Sequence, residues 1–310
     1  MLWVGVRRCF KHLQIKLHAI SRTGGCRVLQ KDRHPNLDFF VADLFSWPVK
    51  DDQASMEHPF FSLAKNSPTV IRHYEHNGNS ITIAPGAYGM PTIWDKDVLI
   101  YCCSQLVEGM RQGREPQQVI RLTAYDFLVS TNRDTSKHGY DLLRGALERL
   151  SGVRITTNIV TGSVRVREGF GLLDWWRIIE KSPTNSRMVS IEVKLSDWFY
   201  RAVTTLEILT IDRDYFRLDG GIERRVYELC RKHCGHQERW VIGVDLLYKK
   251  SGALTPLRNF RGAIKKLAES NHLPEYWLRF DRKDDQLAVY PRSNKGGLRQ
   301  LKDVLGIKTL

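Results

Sequence analysis

The heptapeptide RGALERL at Arg144–Leu150 returns 117 positions later as RGAIKKL at Arg261–Leu267. The similarity extends upstream, because Asp126–Leu128 lies 18 residues before the first RGA and Asp245–Leu247 lies 16 residues before the second. A repeat of this kind is typical of one supersecondary unit used twice. It therefore limits the possible folds of this 310-residue chain more strongly than its composition does.

The segment around the first copy has an ordered series of helix and strand signals. Asn77-Gly78 between two β-prone runs predicts a hairpin. Apolar residues recur at helical spacing over Leu99–Met110, and Gly113 follows as a stop signal. A short helix is predicted from Thr123, a third helix carries the repeat, and alternating runs around Thr161-Gly162 predict another hairpin. The order helix, helix, turn, helix, hairpin describes a winged helix-turn-helix.

The same order is predicted again from Asp219 onward. Apolar residues over Ile222–Leu229 indicate a first helix, and WVIGVDLLYKKSG indicates a short strand and a second helix. Thr255 is predicted as the N-cap of the third helix, with Pro256 as its first residue. A last hairpin turns near DRKDD. The second copy of the repeat therefore occupies the same helix as the first.

These signals predict an α+β fold of two tandem winged helix-turn-helix domains preceded by a basic, disordered tail. The tail is assigned to residues 1–36, which show no sustained period, and whether it is part of the native protein is left open. The N-terminal domain is assigned to residues 37–204 and the C-terminal domain to residues 205–310.

The net charge of +14 is distributed unevenly over these three parts. The tail carries +7, the N-terminal domain is neutral, and the C-terminal domain carries +7. Basic regions beside a neutral middle favour a polyanionic partner, most often nucleic acid. The alternative is that moderate basicity serves solubility alone.

The third helix of the second copy has a basic face beside its apolar stripe. Arginine can bond both acceptors of guanine, asparagine can read adenine, and lysine neutralises phosphate. The alternative is an ordinary solvated face of an amphipathic helix. The predicted DNA contacts of this helix and its wing are Arg258, Asn259, Arg261, Gly262, Lys265, Lys266, Arg279, Arg282 and Lys283.

The equivalent helix of the first copy is less basic. Lys137, His138 and Arg144 are candidate DNA contacts, but Asp141 and Glu148 balance them. This helix is therefore expected either to touch DNA through fewer contacts or to serve mainly in self-association.

Sequence motifs of catalysis and metal binding are missing or have a simpler explanation in packing. The chain has no His-x-His pair for a metal-dependent nicking site, and no phosphate-binding loop of the GxxxxGK[ST] type. The cluster CRKHCGH at 230–236 contains zinc-compatible residues without a second pair, so a buried helix end is favoured over a zinc site. Trp175, Trp176 and Trp198 could stack on bases, but core packing is favoured. No catalytic residue, cofactor or metal is predicted.

Cellular location is inferred from cysteine content and hydropathy. Six cysteines in a chain of this length do not form a disulfide framework, and reduced thiols in the cytoplasm are expected. No run approaches 18 apolar residues, so no membrane association is predicted.

Several long strings resemble the plasmid replication initiator protein A family of bacteria. They include DFFVADLFSWPVKDDQASMEHPFFSLAK, IRHYEHNGNSITIAP and LTIDRDYFRLDGGIERRVYELCRKHCG, and the similarity runs from about Leu37 to Pro291. The resemblance implies a protein that binds repeats at a replication origin, helps to open the duplex, and recruits the host replication initiator and helicase. It also implies a first domain that mediates dimerisation, with a monomer–dimer switch, and a second domain that reads sequence more strongly.

Two other functions are considered beside initiation. A winged-helix transcriptional repressor without a replication role would have the same DNA-binding features. An enzyme that nicks or ligates DNA is disfavoured because the metal and nucleophile motifs are missing. The expectation is a non-enzymatic protein that acts on double-stranded origin DNA in the cytoplasm, associated with the plasmid or nucleoid.

Overall fold

A computed structural model describes residues 28–35, 47–66, 68–76, 79–158, 160–161, 164–165, 168–182, 185–235 and 237–306. The helices are α1 (Gln53–Glu57), α2 (Lys96–Arg111), α3 (Ala124–Ser130), α4 (Lys137–Gly152), α5 (Asp197–Thr204), α6 (Gly221–Cys234), α7 (Val244–Ser251), α8 (Leu257–Ser270) and α9 (Asn294–Leu305), with a 3-10 helix at Arg213–Arg217. The strands are β1 (Val49–Asp52), β2 (Arg72–His76), β3 (Asn79–Ala84), β4 (Val119–Leu122), β5 (Arg154–Thr157), β6 (Val160–Thr161), β7 (Val164–Arg165), β8 (Glu168–Phe170), β9 (Leu173–Ser182), β10 (Asn185–Leu195), β11 (Ile208–Ile211), β12 (Trp240–Gly243), β13 (Tyr276–Asp281) and β14 (Gln286–Pro291).

The same series of elements occurs twice, in a first unit (α2 to α5) and a second unit (α6 to β14). In the first unit α2, β4, α3 and α4 are followed, after the inserted strands β5 to β8, by the hairpin β9–β10, and the sheet order is β4-β10-β9. In the second unit α6, β12, α7 and α8 are followed by the hairpin β13–β14, and the sheet order is β12-β14-β13. Both sheets are antiparallel, and in both the strand before the second helix pairs with the last strand of the hairpin.

The hairpin predicted around Thr161-Gly162 is present but does not belong to the first of these sheets. Its strands β5 and β8 pair through Ile155 and Phe170, while β5 also pairs with β3. Together with β2 they form a separate sheet of order β2-β3-β5-β8. The expectation that this hairpin is the wing after α4 is therefore wrong. Alternation indicates a hairpin but cannot identify its partner strand, because pairing between distant strands is a non-local choice.

Most helix boundaries follow the sequence signals. Helix α2 ends at Arg111, and Gly113 adopts the left-handed backbone (φ 77°) that favours glycine. Helix α8 begins one residue later than predicted, since Pro256 is its N-cap, and its C-cap Asn271 adopts the left-handed conformation. None of the helices that the structure describes combines the length and the apolarity needed to cross a bilayer.

Two hydrophobic clusters form the core. The first includes Phe127, Leu147 and Trp198 and draws its buried residues from positions 60–203. The second is built on α6, α8 and the β12-β14-β13 sheet, but it also contains Val49, Met56 and Ile100 from the earlier part of the chain. Val49 and Met56 precede the first unit, so the chain before the first unit packs on the second unit, and β1 also pairs with β11 upstream of α6.

A buried ionic network lies where β1, α2 and α6 meet. The ammonium of Lys96 bonds Asp51 at 2.7 Å and Glu228 at 2.9 Å, and Arg225 bonds the second oxygen of Glu228 at 2.9 Å. Burial raises the pKa of the Asp51 carboxyl to about 8, because the nearby Lys96 offsets only part of the cost of desolvation. Removing one partner from such a network typically costs about 3–5 kcal/mol, since the other charge is left buried and unpaired.

The prediction that residues 1–36 form a flexible tail is wrong for Val28–Pro35. The backbone N–H of Gln30 donates to Arg217 at 2.9 Å, and that of Arg33 donates to the side chain of Asn132 at 2.8 Å. Leu29 packs against the second hydrophobic cluster. The remaining residues assigned to the tail, 1–27 and 36, lie outside the described residues.

Candidate nucleic-acid interface

Helix α8 has one buried face and one open face. Phe260, Ile264 and Leu267 are buried in the second cluster, at the spacing that places them on one side of a helix. Arg258, Asn259 and Lys266 are exposed. The structure therefore brings three of the predicted DNA contacts to the solvent side of α8, next to the turn between β13 and β14.

Arg261 is tied to neighbouring carboxylates. Its Nε and Nη2 donate to Asp285 at 2.9 and 2.8 Å, and Nη2 also lies 3.5 Å from Asp245 at the start of α7. These hydrogen bonds raise the pKa of the Arg261 guanidinium. Arg261 therefore joins α8, the end of the hairpin turn and α7. The geometry assigns it an anchoring position, whereas the sequence suggested a base-reading one.

Gly262 lies on the open side of α8. A Cβ atom added to Gly262 would meet no atom within 4 Å. Glycine within a helix costs about 0.5–1 kcal/mol relative to alanine. The packing of the chain itself therefore does not require a glycine at this position.

The remaining predicted contacts of the second unit lie around the hairpin turn. The ammonium of Lys265 lies 5.2 Å from the ring centroid of Phe280 on β13, a cation–π contact. Arg279 lies 3.7 Å from Asp281, while Arg282 and Lys283 are exposed in the turn itself. The open side of α8 and this turn together present Arg258, Lys266, Arg282 and Lys283 as exposed cations.

The predicted contacts of the first unit lie on α4. Lys137 and His138 are exposed at its first two positions, directly after the N-cap Ser136. Arg144 lies 3.4 Å from Glu180 on β9. The start of α4 is therefore exposed to solvent, while its middle contacts the hairpin β9–β10 through Arg144.

Arg149 has a different environment from Lys266, its counterpart in the repeat. Its Nε and Nη2 each donate to the carboxylate of Asp95 at 2.7 Å. Asp95 is buried, and its hydrogen bonds raise the pKa of Arg149. Arg149 therefore stabilises the packing of α4 against the N-terminus of α2.

The three tryptophans considered for base stacking have different environments. Trp198 is buried between Phe60 and Phe170, and Trp176 packs against the first cluster. Trp175 is 37% exposed on the outer face of the β4-β10-β9 sheet, with the guanidinium of Arg177 5.7 Å from its ring. Core packing is confirmed for Trp198 and Trp176 and is wrong for Trp175, because adjacent strand residues point to opposite faces.

The histidine and cysteine cluster at the end of α6 is packed into the protein. Cys230 and Cys234 are buried, and burial raises the pKa of both thiols, that of Cys234 to about 11. His233 bonds Glu57 at 2.8 Å and stacks on Trp240. Among the described residues, no group of three or more His, Cys, Asp or Glu side chains has the arrangement of a metal site. His236 lies outside the described residues.

Comparison with known proteins identifies the family. Residues 50–278 match the family model of replication initiator protein A. A putative replication protein of Wigglesworthia glossinidia brevipalpis is 38% identical over 258 residues, which cover 82% of this chain and 94% of that protein. The chain belongs to the replication initiator protein A family. It is a replication initiator by family, as the resemblance in its sequence suggests.

Solved structures with low sequence identity share the fold. Crystal structures of domains 2 and 3 of RctB superpose with TM-scores of 0.55 and 0.54 at 12% identity. They cover 75% and 80% of this chain, and 95% and 99% of the chains compared. The similarity supports a mixed α+β arrangement shared with these two RctB domains.

Proposed function

We propose that the chain initiates plasmid replication by binding repeated sequences at the origin through two winged helices. Helix α8 is the main sequence reader and α4 is the auxiliary one. The observation that carries the proposal is the open side of α8, where Arg258, Asn259 and Lys266 stand beside a hairpin turn with two further cations. A helix of this kind fits the major groove, and a cationic turn beside it fits the adjacent phosphates.

The two units would bind one site together. Two major-groove readers on one face of the duplex lie about one helical turn apart, so a site of about 20 base pairs is expected. Such binding would help to open adjacent duplex and recruit the host replication initiator and helicase. The neutral charge of the first unit fits a role in self-association. The active protein would then be a monomer that dissociates from a dimer before it binds DNA.

The proposed role is non-enzymatic. Incubation of the protein with supercoiled origin DNA and Mg²⁺ should leave the DNA supercoiled, as judged by agarose gel. Relaxed circles under these conditions would identify a nicking activity and contradict this part of the proposal.

A replication assay tests initiation. A plasmid carrying only the DNA that flanks the gene should replicate in cells that supply the protein in trans and fail in cells that do not. A variant with Arg258→Ala should support less replication at equal protein level. If the protein binds this DNA and represses its promoter while the plasmid never replicates, the chain is a repressor and not an initiator.

A further inference from the structure

The turn between α3 and α4 is connected to the second unit through a buried carboxylate. One oxygen of Asp97, in the first turn of α2, accepts from Arg224 of α6 at 2.7 Å. The other accepts from Arg133, in the turn before α4, at 2.9 Å. Asp97 is fully buried and Arg133 is 15% exposed. One carboxylate therefore bridges the turn before the auxiliary reader and the first helix of the second unit.

Residues Val28–Pro35, here called the strap, make a second connection between the same two places. At one end the strap pairs with Arg217, where the Gln30 N–H donates to the Arg217 carbonyl at 2.9 Å and Arg217 Nε donates back at 2.8 Å. The Gln30 side chain donates to Asp219, two residues before α6, at 2.9 Å.

The other end of the strap holds the turn before α4. The side chain of Asn132 accepts from the Arg33 N–H at 2.8 Å and donates to the Lys31 carbonyl at 3.2 Å. Nε2 of His34 lies 2.7 Å from the carbonyl oxygen of Arg133. The strap therefore runs from the residues just before α6 to Arg133, which binds Asp97.

The turn and the start of α4 form a tightly packed unit. A Cβ atom on Gly139 would lie 1.7 Å from the carbonyl oxygen of Asp134, so α4 and the turn are in close backbone contact. Asn132 adopts a left-handed backbone (φ 54°), which orients its amide toward the strap. Displacement of this turn would therefore displace the start of α4, where Lys137 and His138 are exposed.

We propose that Asn132, Arg133 and the strap are positioning residues that hold α4 at a set distance and angle from α8, and so determine the spacing between the two DNA half-sites. This inference rests on the proposed two-headed binding. One base pair of added spacer rotates a half-site by roughly 35°, since the duplex has about 10–10.5 base pairs per turn. A rigid connection between the readers should therefore reject altered spacers, while a loosened connection should accept them.

The test uses the full-length protein and a series of origin fragments with spacers one or two base pairs shorter or longer. Asn132→Gly removes both side-chain bonds to the strap and retains a residue suited to the left-handed backbone. His34→Ala removes a different contact at the same place. The wild type should lose about tenfold in affinity per altered base pair, comparable to a mismatched contact. Each variant should reduce this penalty to about threefold or less at an unchanged optimal spacer.

Arg258→Ala serves as the matched control, because it lies on α8 and makes no contact with the strap. It should weaken binding to every spacer by the same factor. If both Asn132→Gly and His34→Ala keep the steep profile of the wild type while Arg258→Ala weakens binding, the positioning role is overturned and the proposed function stands. A flat profile for the wild type would contradict two-headed binding itself.

Discussion

The repeated helices α4 and α8 share an anchoring residue and differ on their open faces. Arg144 and Arg261 occupy the same position of the repeat, and each binds a carboxylate of the hairpin that follows, Glu180 at 3.4 Å and Asp285 at 2.8 Å. The arginine common to both copies is therefore a structural contact between helix and hairpin. Its recurrence is explained by the packing that the two units share.

The divergent positions lie toward solvent. In repeat register, α4 has Asp141, Leu142 and Glu148 where α8 has Arg258, Asn259 and Lys265. Leu142 is 49% exposed, and Asp141 is exposed beside it. An acidic and apolar face disfavours phosphate contact at these positions, so the proposed DNA contacts of α4 are expected in its first turn. The two helices therefore carry opposite charge at two of these three positions, Asp141 against Arg258 and Glu148 against Lys265.

The largest expected effect comes from removing the side chains at the pair of equivalent positions that differ most in charge. Arg258→Ala should weaken binding to origin DNA by about 1–3 kcal/mol if Arg258 makes the proposed bidentate contact to guanine. Asp141→Ala, at the equivalent position of α4, should not weaken binding. Fluorescence anisotropy titrations at one fixed salt concentration compare the two variants. Equal losses for both would mean that α4 and α8 contact DNA in the same way.

A second prediction concerns the last pair of the repeat. Lys266→Ala should lower the slope of log affinity against log salt by about 1 if Lys266 makes the proposed contact to a phosphate. Arg149→Ala should leave that slope unchanged and instead lower the free energy of unfolding by about 1–3 kcal/mol, because the buried Asp95 loses its cationic partner and keeps only neutral donors such as the Thr92 N–H. Salt titrations of DNA binding measure the slope for both variants, and urea denaturation measures their free energies of unfolding. A reduced slope in Arg149→Ala would contradict its assignment to packing.

A smaller effect is expected from the two glycines. Gly262→Ala should raise the free energy of unfolding by about 0.5–1 kcal/mol, because the added methyl group meets no other atom. It should also weaken DNA binding if this face approaches the sugar–phosphate backbone closely. Gly145→Ala should gain less stability, since its methyl group would lie 3.1 Å from the Arg149 guanidinium. Unchanged DNA affinity in Gly262→Ala would exclude close approach at this point.

The smallest effect on DNA affinity is expected from the shared arginine. Arg261→Ala and Arg144→Ala should each lower the thermal unfolding midpoint slightly, because both contacts are partly exposed ion pairs. Arg261→Ala should weaken DNA binding less than Arg258→Ala does. Thermal denaturation and anisotropy on the same samples test this order. If Arg261→Ala gave the greater loss of affinity, Arg261 would leave Asp285 to read a base.

The family and most of the helices and hairpins could be predicted from the sequence. Apolar spacing over Leu99–Met110 indicates α2, alternation around the DRKDD turn indicates β13–β14, and the repeat indicates that the series occurs twice. These signals are local, because helix and strand periods are visible in any short window of residues. The exposed positions of α8 were also predicted, since they are the complement of its apolar stripe.

Only the tertiary structure decided which hairpin joins β4, what Arg261 binds, and whether Val28–Pro35 packs on the fold. Each of these depends on partners that are distant in sequence: β10 for β4, Asp285 for Arg261, Asn132 and Arg217 for the strap. Periodicity within a segment shows which face is apolar but does not identify the element that will cover it. The choice of partner is made by packing and by the need to pair buried polar groups, and both are properties of the assembled chain.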